Sequence, residues 1–271
     1  MDEVHRWKKC FMQKTVDVIT FNGEFDLLDL RLNILSPHVD KFIVVEFDKT
    51  FSGKAKPFYG KDMDKFLEPW KGKVEWYYHT ERTYGKYRKL AESSPNTFGA
   101  DHWITEFMMK ESVKECLTEL DDSDIVYIGD VDEIWQSFPA TDNQIFKLKL
   151  GVYTYWLNNK SSEEFWGTIV GRYKDIKDKC LNHIRSTYHN KTQTEWGWHF
   201  TSMGGYDKVK EKLTDSYTKE TYATEQVLNN LEDNISNKRD FLGRNFKYIT
   251  DESGWPQFLK DNKEKYKELC L

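Results

Sequence analysis

The sequence predicts an α/β protein in which a mostly parallel central sheet is flanked by helices. Three observations carry this. A strand, a helix and a second strand follow one another between residues 16 and 47, the spacing of a right-handed βαβ unit. A fully apolar run, Ile125-Val126-Tyr127-Ile128, leads into Asp130, Asp132 and Glu133 through Gly129, which is expected to let the chain turn sharply at the strand's end. A strand buried on both faces and ending in acids is where open α/β sheets place ligands. Finally, 271 residues of which 38% are hydrophobic can bury one large core, so a single domain is expected over 1–271, with the Lys/Glu-rich stretch 207–271 as a helical C-terminal extension.

In chain order, Val16 to Phe21 reads as the first strand and Asn22-Gly23-Glu24 as the turn after it. Apolar residues at Phe25, Leu27, Leu28, Leu30, Leu32 and Leu35 form a helical stripe that stops before Pro37. Lys41 to Phe47 is the second strand, followed by a Gly-, Lys- and aromatic-rich loop, and Val74 to His79 is a third strand. His102 to Leu120 reads as a helix leading into the acidic strand. A strand over Gly151 to Leu157, an apolar FWGTIVGRY segment, a helix over Tyr173 to Tyr188 and a strand-like WGWHF follow. No internal repeat or low-complexity linker interrupts this order.

Composition narrows the function. The 40 basic residues are outnumbered by 45 acids, giving a net charge of −5 with no basic block, which argues against a nucleic-acid partner. Aromatic residues make up 15%, with ten Trp; such faces stack on sugars or bases, although most serve as core and groove walls. Cys10, Cys116, Cys180 and Cys270 lie far apart without zinc-ligand spacing and are expected to be reduced thiols. The N-terminus has no apolar signal-peptide core and no run reaches membrane-spanning length, so a soluble, cytoplasmic protein is expected.

Acids at i and i+2 at a strand end can converge on one divalent ion, and their hard oxygens suit Mg2+ or Mn2+. A bare D-x-D also fits an ordinary acidic turn that caps the next segment. Residues alone leave both readings open.

Four motifs in order add to this: FNGEFDLLDLRLNIL, VDKFIVVEFDKTFSGKAKPF, DIVYIGDVDEI and GWHFTSMGG. Together they resemble glycosyltransferase family 17, the family of N-acetylglucosaminyltransferases that add bisecting GlcNAc to N-glycans, over roughly Val16 to Gly243. The resemblance implies a GT-A fold, which is Rossmann-like. It also implies a UDP-sugar donor held through Mn2+ or Mg2+ on the D-x-D, and transfer to a glycan acceptor with inversion. Of the family's W-x-x-E-x-x-Q-R helix pattern, Trp103 and Glu106 match, while Met109 and Lys110 stand for Gln and Arg.

The resemblance assigns Asp132 as the main metal ligand, with Asp130 as a second ligand or a contact to the donor, and His199 as a third. A lone His among aromatics is otherwise a core residue. Phe21, Asn22 and Glu24 would hold uracil and ribose, with Glu46 beside them; Glu46 equally fits a buried acid paired with a Lys of the following loop. Glu106 and Lys110 form an i,i+4 pair, and Lys110 at a family Arg position suits a pyrophosphate contact as a point charge. Inversion needs a general base, for which Glu220 is the candidate, with Glu163, Glu164 and Glu195 as rivals; any of these also fits solvated surface charge. Transfer of another hexose, or carbohydrate binding without catalysis, are the alternative functions.

Overall fold

The computed structural model describes residues 13–140, 142–186, 190–216 and 222–271. Glu220 and Cys10 lie outside the described residues. One sheet runs through the molecule. Its strands are β1 (Thr15–Phe21), β2 (Lys41–Phe47), β3 (Val74–His79), β4 (Ile125–Asp130), β5 (Glu133–Trp135), β6 (Ile145–Thr154), β7 (Asn159–Arg172), β8 (Lys191–Thr201) and β9 (Tyr248–Thr250). Their order is β3-β2-β1-β4-β7-β6-β8-β5, with β9 beside β7.

The expected βαβ unit is present. β1 pairs in parallel with both β2 and β4, and β2 with β3, while helix Phe25–Leu35 makes the first crossover. The second half corrects the expectation of a mostly parallel sheet. It is mixed: β6 pairs in parallel with β8, while β7 runs antiparallel to β4, β6 and β9, and β5 antiparallel to β8. The reason is local: β6 and β7 are joined by only four residues, and a parallel return needs a crossover. Tyr155, at φ 71°, begins that short turn.

Alternation along the strands builds a layer on each face. Val16, Val18, Val126 and Ile128 pack under helix Asp101–Ser112, while Ile19, Phe21 and Tyr127 pack under helix Phe25–Leu35. Among these apolar side chains lies a fully buried ion pair that no sequence pattern announces. Arg31 reaches both carboxylate oxygens of Asp17, at 2.7 and 2.8 Å, and Trp135 Nε1 donates to the same carboxylate at 2.8 Å.

Other boundaries shift. The helix expected to Leu120 ends at Ser112 and tightens into a 3-10 turn, Val113–Cys116. The helix expected over Tyr173 to Tyr188 is two short ones, Tyr173–Ile176 and Leu181–Ser186, beyond which 187–188 lie outside the described residues. Residues 207–271 are more than a helical extension. Helix Gly205–Ser216 and helix Glu225–Ser236 are there and bury Val209, Leu213, Leu231 and Ile235 in a separate cluster around Tyr155, but β9 joins the sheet, and Trp255, Leu259 and Tyr266 are buried in the main core. Among the described residues no helix is long and apolar enough to cross a membrane.

Candidate active site

The acidic turn starts from a close approach. Gly129 lies within β4, opposite Ile19, and not at a bend as its sequence position suggests. A Cβ there would meet Glu133 Oε2 and Thr168 Oγ1, each at 2.6 Å, so the glycine makes room for the Glu133 carboxylate to fold back over the strand. Glu133 accepts from Thr168 at 3.1 Å and pairs with Arg185 at 3.0 Å.

Asp130 ends β4 opposite Thr20, whose hydroxyl donates to it. Its other oxygen faces Lys110 at 3.1 Å and Arg185 at 3.3 Å. Burial alone raises a carboxyl pKa, but Lys110 and then Arg185 outweigh it and hold Asp130 far below the usual range. Asp130 and Glu106, the latter 2.6 Å from Lys110, keep that ammonium charged against its own desolvation. From the opposite face of the sheet Arg31 donates to the carbonyls of Asp130 and Glu133, each at 2.7 Å, fixing the backbone of the turn.

Asp132 points to a separate cluster. His199 Nε2 lies 3.5 Å and Lys212 Nζ 3.3 Å from its Oδ2, and Lys212 also reaches Thr201 Oγ1 at 3.3 Å. Three elements converge here, because β5 pairs antiparallel with β8 and sets Glu133 opposite His199, while helix Gly205–Ser216 follows β8. The desolvation that raises the Asp132 pKa is overcome by Lys212 first and His199 second, so the carboxylate stays ionised. Glu24 is pushed the other way: desolvation raises its carboxyl, opposed by Lys212 and reinforced by Asp132. The His199 ring stacks on Phe165 at 4.0 Å, and its Nδ1 is buried without a hydrogen-bond partner.

The residue types suit a divalent ion. Among the described residues no three His, Cys, Asp or Glu side chains form a cage. Mg2+-type sites, however, take one or two carboxylates and complete their shell with water and substrate phosphates. Asp132 Oδ2 and His199 Nε2, 3.5 Å apart, are an oxygen and a nitrogen of the kind that such an ion takes, and a cation, Lys212, already sits against Asp132.

The other expected residues are distributed unevenly. The Phe21 ring is buried against Phe25 and Trp76, so only its backbone faces the strand end. Asn22 is exposed, and its N–H donates to Glu24 at 3.0 Å. Glu46 is fully buried and satisfied: Lys56, the N–H groups of Tyr59 and Gly60, and Trp76 Nε1 all reach it within 3.1 Å. Pairing with a Lys of the following loop is one of the two readings of its sequence position, and its carboxylate ties that loop to β2. Glu163, Glu164 and Glu195 are paired with Arg244, Lys149 and Lys160. Trp103, Glu106, Lys110 and Arg185 line a cleft of about 240 Å³ next to Asp130. A larger one, about 370 Å³ between Trp135, Trp198 and Phe258, contains none of the acidic residues.

Arg185, Thr20 and Arg31 escape a reading of the sequence. Nothing around Arg185 marks it, whereas parallel pairing of β1 with β4 would have placed Thr20 beside Asp130.

A family model described as glycosyltransferase family 17 matches residues 1–217. The chain belongs to glycosyltransferase family 17. Curated relatives are the rat β-1,4-mannosyl-glycoprotein 4-β-N-acetylglucosaminyltransferase, 29% identical over 186 residues (65% of this chain, 31% of that protein), and its human counterpart, 30% identical over 148 residues (53% and 25%). The matched segment thus spans about a third or less of these relatives' length. A solved structure titled as an active-site mutant of LgtC overlays with 9% identity and a TM-score of 0.35, covering 94% of each chain, too remote an overlay to build on.

Proposed function

We propose that this family 17 chain is a GT-A glycosyltransferase that moves a sugar, GlcNAc in the first instance, from a UDP-sugar to a glycan acceptor with inversion. The single observation that carries the reading is the acidic turn at the end of β4, whose two aspartates are held ionised by Lys110, Arg185 and Lys212. These cations, balanced here by Asp130, Asp132, Glu106 and Glu133, are together with a metal ion the groups that would face a diphosphate, whose charge grows as the glycosidic bond to the nucleotide breaks. The names of the rat and human relatives suggest the sugar and the acceptor class.

Asp132 and His199 would hold the Mn2+ or Mg2+, with Asp130 kept close by Lys110 and Arg185. Bound there, the ion supplies Lewis-acid stabilisation to the departing diphosphate. The chain's own residues do the rest. Lys110 and Arg185 line the cleft and present charge to the phosphates. Asn22 and Glu24, at the end of β1, would hold the nucleoside, and Glu46 ties down the loop after β2. For the proton of the acceptor hydroxyl we assign Glu220; Glu163, Glu164 and Glu195 are already engaged by cations.

Hydrolysis of nucleotide sugars tests the reading. Slow release of UDP from UDP-GlcNAc with Mn2+ supports it. UDP release from a different UDP-hexose alone redirects the donor, and ligand binding without release from any nucleotide sugar points to a non-catalytic carbohydrate-binding protein. Glu220→Gln is expected to lower kcat on the order of 10²-fold with donor affinity retained.

A further inference from the structure

Lys212 is the side chain whose position the proposed metal role of Asp132 does not explain. Its ammonium shares Asp132 Oδ2 with His199, the side on which an incoming divalent ion would bind. The arrangement is built rather than incidental. Val209 and Leu213, in the same helix, are buried against Tyr155. Further along, Asp215 anchors the helix to the loop after β2, with Lys54 Nζ at 2.8 Å from its carboxylate and the Ser52 N–H at 3.1 Å from its carbonyl. The backbone of Lys212 is therefore fixed at the mouth of the site. Its four-carbon stem is flexible and its side chain is 37% exposed, so the head can change partner without the helix moving.

Resting on the metal reading above, we infer that Lys212 is the resident counter-ion of Asp132, competing with a divalent cation for that carboxylate and passing to the donor's diphosphate once displaced. An ammonium and a dication on one carboxylate oxygen repel strongly in a half-buried site. Before the ion arrives, Lys212 spares Asp132 the cost of a desolvated, unpaired charge. Afterwards the displaced ammonium turns to the incoming diphosphate, a denser anion than a single carboxylate. As the acceptor hydroxyl oxygen, or water in hydrolysis, bonds to the anomeric carbon and gives its proton to the general base, the bond from that carbon to the β-phosphate oxygen breaks, its electron pair goes to that oxygen, and Lys212 would stabilise it. The same charge thus serves the protein twice, without any rearrangement of the fold.

Mn2+ binding to the full chain, measured by electron paramagnetic resonance without nucleotide, separates this from a merely structural ion pair. Lys212→Met is expected to bind Mn2+ about tenfold more tightly, since its competitor is gone, yet to release UDP at least about tenfold more slowly at saturating Mn2+. Lys212→Arg keeps the cation and is expected to stay within about threefold of wild type in Mn2+ affinity. Unchanged or weaker Mn2+ binding by a Lys212→Met protein with a wild-type melting curve overturns the inference, as does tighter binding with undiminished turnover. If wild type and Lys212→Met both fail to bind Mn2+ while binding UDP, the metal reading falls and this inference falls with it.

Discussion

Arg31 Nη1 lies 2.7 Å from the carbonyl oxygen of Asp130, so a guanidinium buried under the first helix holds the backbone of the acidic turn from behind. The same side chain neutralises Asp17, which has no access to water. Core and site are thereby one structure.

Removing that cation leaves Asp17 charged and unpaired. Arg31→Met is expected to destabilise the fold by about 3–5 kcal/mol in urea titrations, and Arg31→Met with Asp17→Asn to recover a large part of the loss. A single variant within about 1 kcal/mol of wild type would show that the pair does not carry the load assigned to it.

Gly129→Ala puts a methyl group where the Glu133 carboxylate and the Thr168 hydroxyl now sit. A strained or displaced Glu133 loses Arg185, which then no longer steadies Asp130. The expected result is a loss of about 1–3 kcal/mol in stability together with reduced metal-supported UDP binding. A fully stable, fully active alanine variant would mean that Glu133 tolerates another position.

His79 gives a pH test away from the site. Burial, more than the opposing field of Glu115, pushes its imidazole down to about 4 from an ordinary 6.5. Between those values the unfolded chain takes up a proton that the folded protein refuses, so stability falls as pH falls from 6.5 to 4. The full cost is about 3 kcal/mol. His79→Gln is expected to flatten that part of the stability–pH curve, read from denaturation midpoints at several pH values. Parallel curves for the two proteins would show that His79 protonates normally.

The first half of the sheet is legible in the sequence because its strands are mainly apolar, β-branched and aromatic runs bounded by Gly, Pro and charge. Phe25–Leu35 and Lys41–Phe47 appear with the boundaries read from periodicity. The mixed second half is harder. β7 runs through SSEE, polar residues on a partly exposed stretch that resemble a loop until β6 and β9 pair on either side of them. The site shows the same division. Asp130 and Asp132 stand in a motif, and Lys110 at helical spacing from Glu106, whereas Arg185 and Lys212 reach the acids only through long-range packing that no local pattern encodes. Gly129 is special for a reason other than its position suggests, since close approach and a bend look alike in a sequence.

The most direct test is donor binding by wild type and Asp132→Asn with and without Mn2+, read as the shift in melting temperature with UDP-GlcNAc and as UDP released over time. Asparagine keeps the shape and loses the charge, so the apo melting curve is expected to change little. In wild type, Mn2+ is expected to be required for both the shift and the release. In Asp132→Asn the Mn2+-dependent shift is expected to vanish and release to fall on the order of 10²-fold or more. Equal shifts and equal release in the two proteins, or wild-type turnover that persists in EDTA, would contradict the placing of a metal-held UDP-sugar on this acidic turn.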